Sequence, residues 1–122
     1  MFTIDDVMKA IEGIDLSKSN PYPGCVYTAP NGEHCIAGQI CVELGIEVPE
    51  WDDEVGNDSF GFNDRNPNTE TFIASPMSKN FTDDAARFIS DCQSFADNFD
   101  NNDPPWADCV IHAEEKIGVA DV

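Results

Sequence analysis

The chain has 122 residues, 41% of them hydrophobic, with eight Phe and two Trp, and six basic residues against 24 acidic ones leave a formal net charge of −18. That length and apolar content fit one domain with a modest core and exclude a disordered tail. The charge disfavours direct contact with phosphate backbones and anionic membranes, and favours a basic partner or a purely solubilising surface.

Residues 3–14 place Ile4, Val7, Met8, Ile11 and Ile14 at helical spacing behind Thr3, a good N-cap, with acids in the first turn. The following DLSKSNPYPG is a Pro- and Gly-punctuated loop. CVYTA reads as a strand, Pro30-Asn31-Gly32-Glu33 as a tight turn, and the return arm closes a short hairpin. A helix is expected to begin near His34 or Cys35, with Ile36, Ala37, Ile40, Cys41 and Leu44 on one face and Gly45 as its stop.

Residues 46–80 form a long acidic region of low regularity, in which only TFIAS has a strand-like run. Regularity returns at Phe81. Thr82 is placed to cap a helix whose Phe81, Ala85, Phe88, Cys92, Phe95 and Phe99 recur at steps of four and three, widened by Ile89 and Ala96. DNNDPP ends it and opens another, with Trp106, Cys109, Val110, Ala113 and Ile117 on the buried face. These elements predict a single domain over 1–122, α+β and helix-dominated, of about four helices with a short β-hairpin.

The cysteines and histidines raise a metal or nucleophilic centre as one alternative. Cys25, His34, Cys35, Cys41, Cys92, Cys109 and His112 all carry ligand atoms, but nine, five, fifty and sixteen residues separate successive cysteines. Structural zinc sites pair cysteines two to four apart, so core-filling cysteines fit the spacing better, and no metal or cofactor is expected. Cys35, in the first turn of a helix where the dipole favours thiolate, with His34 or His112 as base, is the candidate nucleophile. Cys109 and His112, one turn apart, complete that alternative. The run at 97–103 lacks the glycine and the alternating oxygens of an EF-hand, and no phosphate-cradling loop occurs.

The best candidate binding surface is the segment bearing Glu50, Trp51, Asp52, Asp53, Glu54, Phe60 and Phe62, where aromatic anchors sit within an acidic rim. Such a surface suits a protein partner with basic and apolar patches, and the same aromatics could instead close the core or join a homodimer. The N-terminal MFTIDDVMKAIEGI lacks the basic region, apolar stretch and cleavage site of a signal peptide, and no apolar run spans a bilayer, so a cytoplasmic location without membrane contact is expected.

Cys35-Ile36-Ala37-Gly38, Leu44-Gly45, the pattern F-T-x-x-A-x-x-F-I-x-x-x-Q from Phe81 and the later Pro105-Trp106 carry a resemblance. Over about residues 22–113 the chain resembles small accessory proteins of actinobacterial phages and prophages, from which it departs in its stronger acidity and additional cysteines. The resemblance implies a phage protein in the host cytoplasm, acting without catalysis by binding and inhibiting or modulating a host factor, as an anti-defence protein or a nucleic-acid mimic. It transfers no functional residue.

Overall fold

The computed structural model describes residues 1–19, 27–29, 32–48, 72–73, 75–96 and 104–117. Four α-helices lie among them: α1 (Ile4–Glu12), α2 (Ile36–Glu43), α3 (Asp83–Ala96) and α4 (Trp106–Ile117), with a 3-10 helix over Pro76–Asn80 ahead of α3. Packing is most extensive between α3 and α4, and α3 also touches α2 and α1. Buried residues from all four helices belong to one hydrophobic cluster, so α3 is the element around which the others gather.

The start of α1 follows from its first residues. Thr3 Oγ1 accepts the Asp6 N–H at 3.4 Å while the Thr3 N–H donates to Asp6 Oδ2 at 2.9 Å, a reciprocal capping box that satisfies two orphan donors. The helix stops at Glu12, short of the predicted Ile14, where the Gly13 N–H turns back to the Ala10 carbonyl at 3.0 Å. Val7, Ala10 and Ile11 are buried, and Ile4, Met8 and Ile14 pack at the edge of the core.

The loop after α1 has a structural role. Asp15 Oδ1 accepts from Ser17 Oγ at 2.6 Å and from the Ser17 N–H at 3.0 Å; these bonds, the side-chain one first, hold its carboxyl below the usual range. The Lys18 N–H closes the turn on the Asp15 carbonyl at 3.2 Å. The turn then offers its Lys18 and Leu16 carbonyls to the Trp106 and Ala107 N–H groups at 2.7 and 3.0 Å. The first turn of α4 is thus capped by backbone from a distant part of the chain. Pro104 and Pro105, lacking N–H groups, add no donors there needing partners.

Among the described residues the predicted hairpin is not found: they hold no strand, only two isolated bridges. Thr28 and His34 make a single antiparallel bridge, flanked by Ala29 N–H to Glu33 carbonyl at 2.7 Å and Cys35 N–H to Tyr27 carbonyl at 3.3 Å. The return arm has no room to extend a ladder, because Cys35 already serves as N-cap of α2. The strand-like TFIAS is not a strand at its described residues either. Phe72 and Ile73 lie in a turn, because the Ser75 N–H and hydroxyl both donate to the Phe72 carbonyl, at 3.1 and 2.6 Å, and Pro76 then opens the 3-10 helix. Phe72 and Met77 are buried, so part of the 46–80 region contributes core.

The second bridge ties the N-terminus to the start of α3. The Phe2 N–H donates to the Asn80 carbonyl at 2.7 Å and the Thr82 N–H to the Phe2 carbonyl at 2.9 Å, with the Phe2 and Phe81 rings 5.7 Å apart. Thr82 stands before α3 as expected, and its carbonyl accepts the Ala86 N–H at 2.9 Å. Its hydroxyl, however, donates to Asp84 Oδ1 at 2.5 Å, holding that carboxyl below its ordinary range, and Asp84 itself takes the Ala85 N–H at 2.9 Å. The α3 stripe is otherwise as its spacing predicts: Phe81, Ala85, Phe88, Ile89, Cys92 and Ala96 are buried and Phe95 is half-buried. Phe99 lies outside the described residues.

Candidate functional site

Glu50, Trp51, Asp52, Asp53, Glu54, Phe60 and Phe62 lie outside the described residues, as does Cys25. Among the described residues the candidate chemistry lies at the His34–Gly38 junction, at the other cysteines, and in a groove lined in part by Ile46 and Glu47.

Cys35 is the N-cap of α2 rather than a first-turn residue. Its Sγ accepts the Gly38 N–H at 3.4 Å, and the side chain is 2% exposed. The sulfur therefore takes the part that an Asn or Ser oxygen plays at other helix starts. His34 Nδ1 lies 3.1 Å from Thr28 Oγ1 and 3.2 Å from the Tyr27 carbonyl; with its proton on Nδ1 it serves both acceptors and clamps the bridge. The neighbouring Ala37 N–H, another donor of the first turn, is taken at 3.1 Å by Gln93 Oε1, a buried amide from α3. Every residue from Cys35 to Gly38 is buried, and each has a structural task.

Gln93 is the residue that side-chain periodicity passes over. Its one trace in the sequence is the terminal Gln of the F-T-x-x-A-x-x-F-I-x-x-x-Q pattern. Gln93→Ala is expected to cost about 1–2 kcal/mol, since the Ala37 N–H would stay buried without its acceptor. Urea unfolding measures this, and an unchanged midpoint would remove the cap from the account of α2.

The other cysteines sit in apolar surroundings. Burial pushes the Cys41 thiol up to about 12, and burial, then Cys109, Asp91 and Glu114, raise Cys92 well above its ordinary value. Cys109 is buried, its thiol directed at the Pro105 carbonyl at 3.6 Å. His112 is stacked on Phe95, ring centroids 4.5 Å apart. Among the described residues no three His, Cys, Asp or Glu side chains are grouped to hold a metal ion. Cys35 and His34 thus serve the start of α2, while Cys109 meets the Pro105 carbonyl ahead of α4 and His112 stacks on α3.

A thiol raised in the folded state stays protonated there after its unfolded counterpart has ionised. Stability from Cys41 is therefore full below about pH 9, the ordinary thiol value, and falls as the pH rises toward 12. Thermal unfolding of the wild type is expected to lose ground between neutral pH and pH about 10, with a shallower slope in Cys41→Ala. Equal slopes would show that Cys41 does not titrate differently on folding.

An open groove of about 450 Å³ lies where the end of α2 meets the 3-10 helix and the N-terminal Phe2. Leu44, Ile46, Pro76 and Met77 give it apolar walls, and Glu47 and Asn80 stand on it as polar groups. Gly45, in the left-handed region with φ +77°, turns the chain out of α2 there. Its N–H donates to the Val42 carbonyl at 3.0 Å and that of Ile46 to the Cys41 carbonyl at 2.9 Å, the paired bonds of a Schellman stop. Sequence spacing located Gly45 but not the groove, whose walls come from three separated segments.

No helix among the described residues is long and apolar enough to cross a membrane. No protein-family model matches the chain, and neither a curated protein nor a solved structure shows significant similarity to it.

Proposed function

We propose that the protein is a non-catalytic binding module, a phage accessory protein that engages a basic host protein in the cytoplasm and inhibits or modulates it. The contact surface is the acid-rich segment with Glu50, Trp51, Asp52, Asp53, Glu54, Phe60 and Phe62. The observation that carries this reading is the net charge of −18 together with acids and large aromatics interleaved in one stretch of sequence. Such a charge speeds encounter with a basic surface, and desolvated aromatics supply the apolar anchors that charge alone does not. A factor whose natural ligand is a nucleic acid presents that kind of basic surface.

The test is capture of partners from actinobacterial lysate on the tagged full chain, washed first at low and then at high salt. One predominant partner is expected, lost at high salt and lost when Asp52→Asn, Asp53→Asn and Glu54→Gln are combined. Capture of no partner under either wash, or capture indifferent to the three substitutions, overturns the reading.

A further inference from the structure

We propose that the groove between the end of α2 and the 3-10 helix seats a lysine or arginine side chain of the basic protein partner. The inference rests on the binding reading above for the partner's chemistry and adds a second, separate contact. Three features of the groove point to a cation with an aliphatic stem. Its mouth holds the C-terminal end of α2, where helix carbonyls concentrate partial negative charge. The Schellman bonds use the Cys41 and Val42 carbonyls, whereas the Glu43 and Leu44 carbonyls receive no N–H from the described backbone. The exposed Glu47 carboxylate adds a full charge on the same rim.

The walls complete the match. Phe2, Leu44, Ile46 and Met77 are apolar and line the groove beneath that rim. Lysine and arginine lay their methylenes on such a surface and keep the charged head at a polar edge. None of the described lining residues is basic; Lys79, beside Asn80 in sequence, is not among them. An anionic group would instead meet a carboxylate and a helix C-terminus inside a chain of net charge −18.

The experiment uses the full chain and four pools of labelled synthetic heptapeptides, each with a fixed central Arg, Lys, Leu or Glu. Fluorescence anisotropy reads binding, and methyl NMR of Met77 reads the location. The Arg and Lys pools are expected to bind and to shift the Met77 methyl, and the Leu and Glu pools to do neither. Glu47→Lys is expected to weaken the Arg pool about five- to ten-fold, and Asn80→Lys, which brings a resident cation to the groove, at least as much. Glu115→Lys carries the same change of charge as Glu47→Lys on exposed α4 surface and is expected to change binding less than about two-fold. Equal losses in Glu47→Lys and Glu115→Lys would mean a diffuse field without a seat, and overturn the proposal. So would equal binding of the Leu pool, no binding of any pool, or a Met77 methyl shift on replacing Trp51, Phe60 and Phe62 by Ser without peptide, which would mean the chain's own segment fills the groove. Partner capture through Asp52–Glu54 that ignores the groove variants removes this inference alone. Groove binding of Arg peptides without any captured partner removes the role of 50–62 alone.

Discussion

Trp106→Ala is expected to lower the unfolding free energy by about 3–5 kcal/mol, enough to leave a marginal domain of this size partly unfolded at ambient temperature. Trp106 is 1% exposed and among the largest fully buried side chains, at the first position of α4. Its removal would leave a cavity where α4 is anchored through its backbone to the Lys18 and Leu16 carbonyls. The indole also carries a liability, because Nε1–H is buried without a hydrogen-bond partner among the described residues. An unpaired buried donor costs about 1–3 kcal/mol. Trp106→Phe discards that donor with part of the ring volume, so the two effects oppose one another. It is expected to cost less than half as much as the alanine variant. Urea unfolding of both variants decides this: a phenylalanine variant as damaged as the alanine one would show that the indole N–H is in fact satisfied.

Gly38→Val is expected to cost about 3 kcal/mol or more, the upper end for overpacking. A Cβ at Gly38 would lie 2.6 Å from the Tyr27 carbonyl oxygen and 3.2 Å from the His34 Cβ. The nearer contact is backbone, which cannot rotate aside, and Tyr27 is held there by the His34 clamp and by the Cys35 N–H. Gly38→Ala makes the same clash but gains up to about 1 kcal/mol of helix propensity, so its net loss is smaller, about 1–2 kcal/mol. The order glycine, alanine, valine in melting temperature tests the close approach. An alanine variant more stable than the wild type would mean that propensity alone governs position 38.

Gly38 also marks where reading the chain reaches its limit. Within a helix a glycine looks like a weakness, and nothing local says that a carbonyl from before the turn presses against it. Gln93 poses the same difficulty in reverse: a polar residue on the flank of an apolar stripe reads as solvent-facing, yet it is buried because α2 needs an acceptor for its first turn. Cys35 lies one position earlier than its spacing suggests, outside the first turn as the cap itself, with its sulfur on the Gly38 N–H. In the hairpin and in TFIAS, β-prone residues were overruled by local hydrogen bonding: Cys35 commits the return arm to α2, and Ser75 curls the chain onto Phe72. The aromatic and acidic segment at 50–62 remains a reading of composition, with its charge legible and its geometry outside the described residues.

The amino-acid sequence by itself determined where helices form and which faces they bury, because 3.6-residue periodicity, the Thr3–Asp6 capping box and the Gly45 stop act between near neighbours. It also determined the sign of the chain's own charge, since charge is a sum over residues and needs no fold. Tertiary structure alone decided what those elements share: the Gln93 cap on α2, the Leu16 and Lys18 carbonyls on α4, and the groove joining Phe2, Leu44 and Met77. Each brings together groups far apart in the chain, and contacts of that kind exist only once the helices have packed.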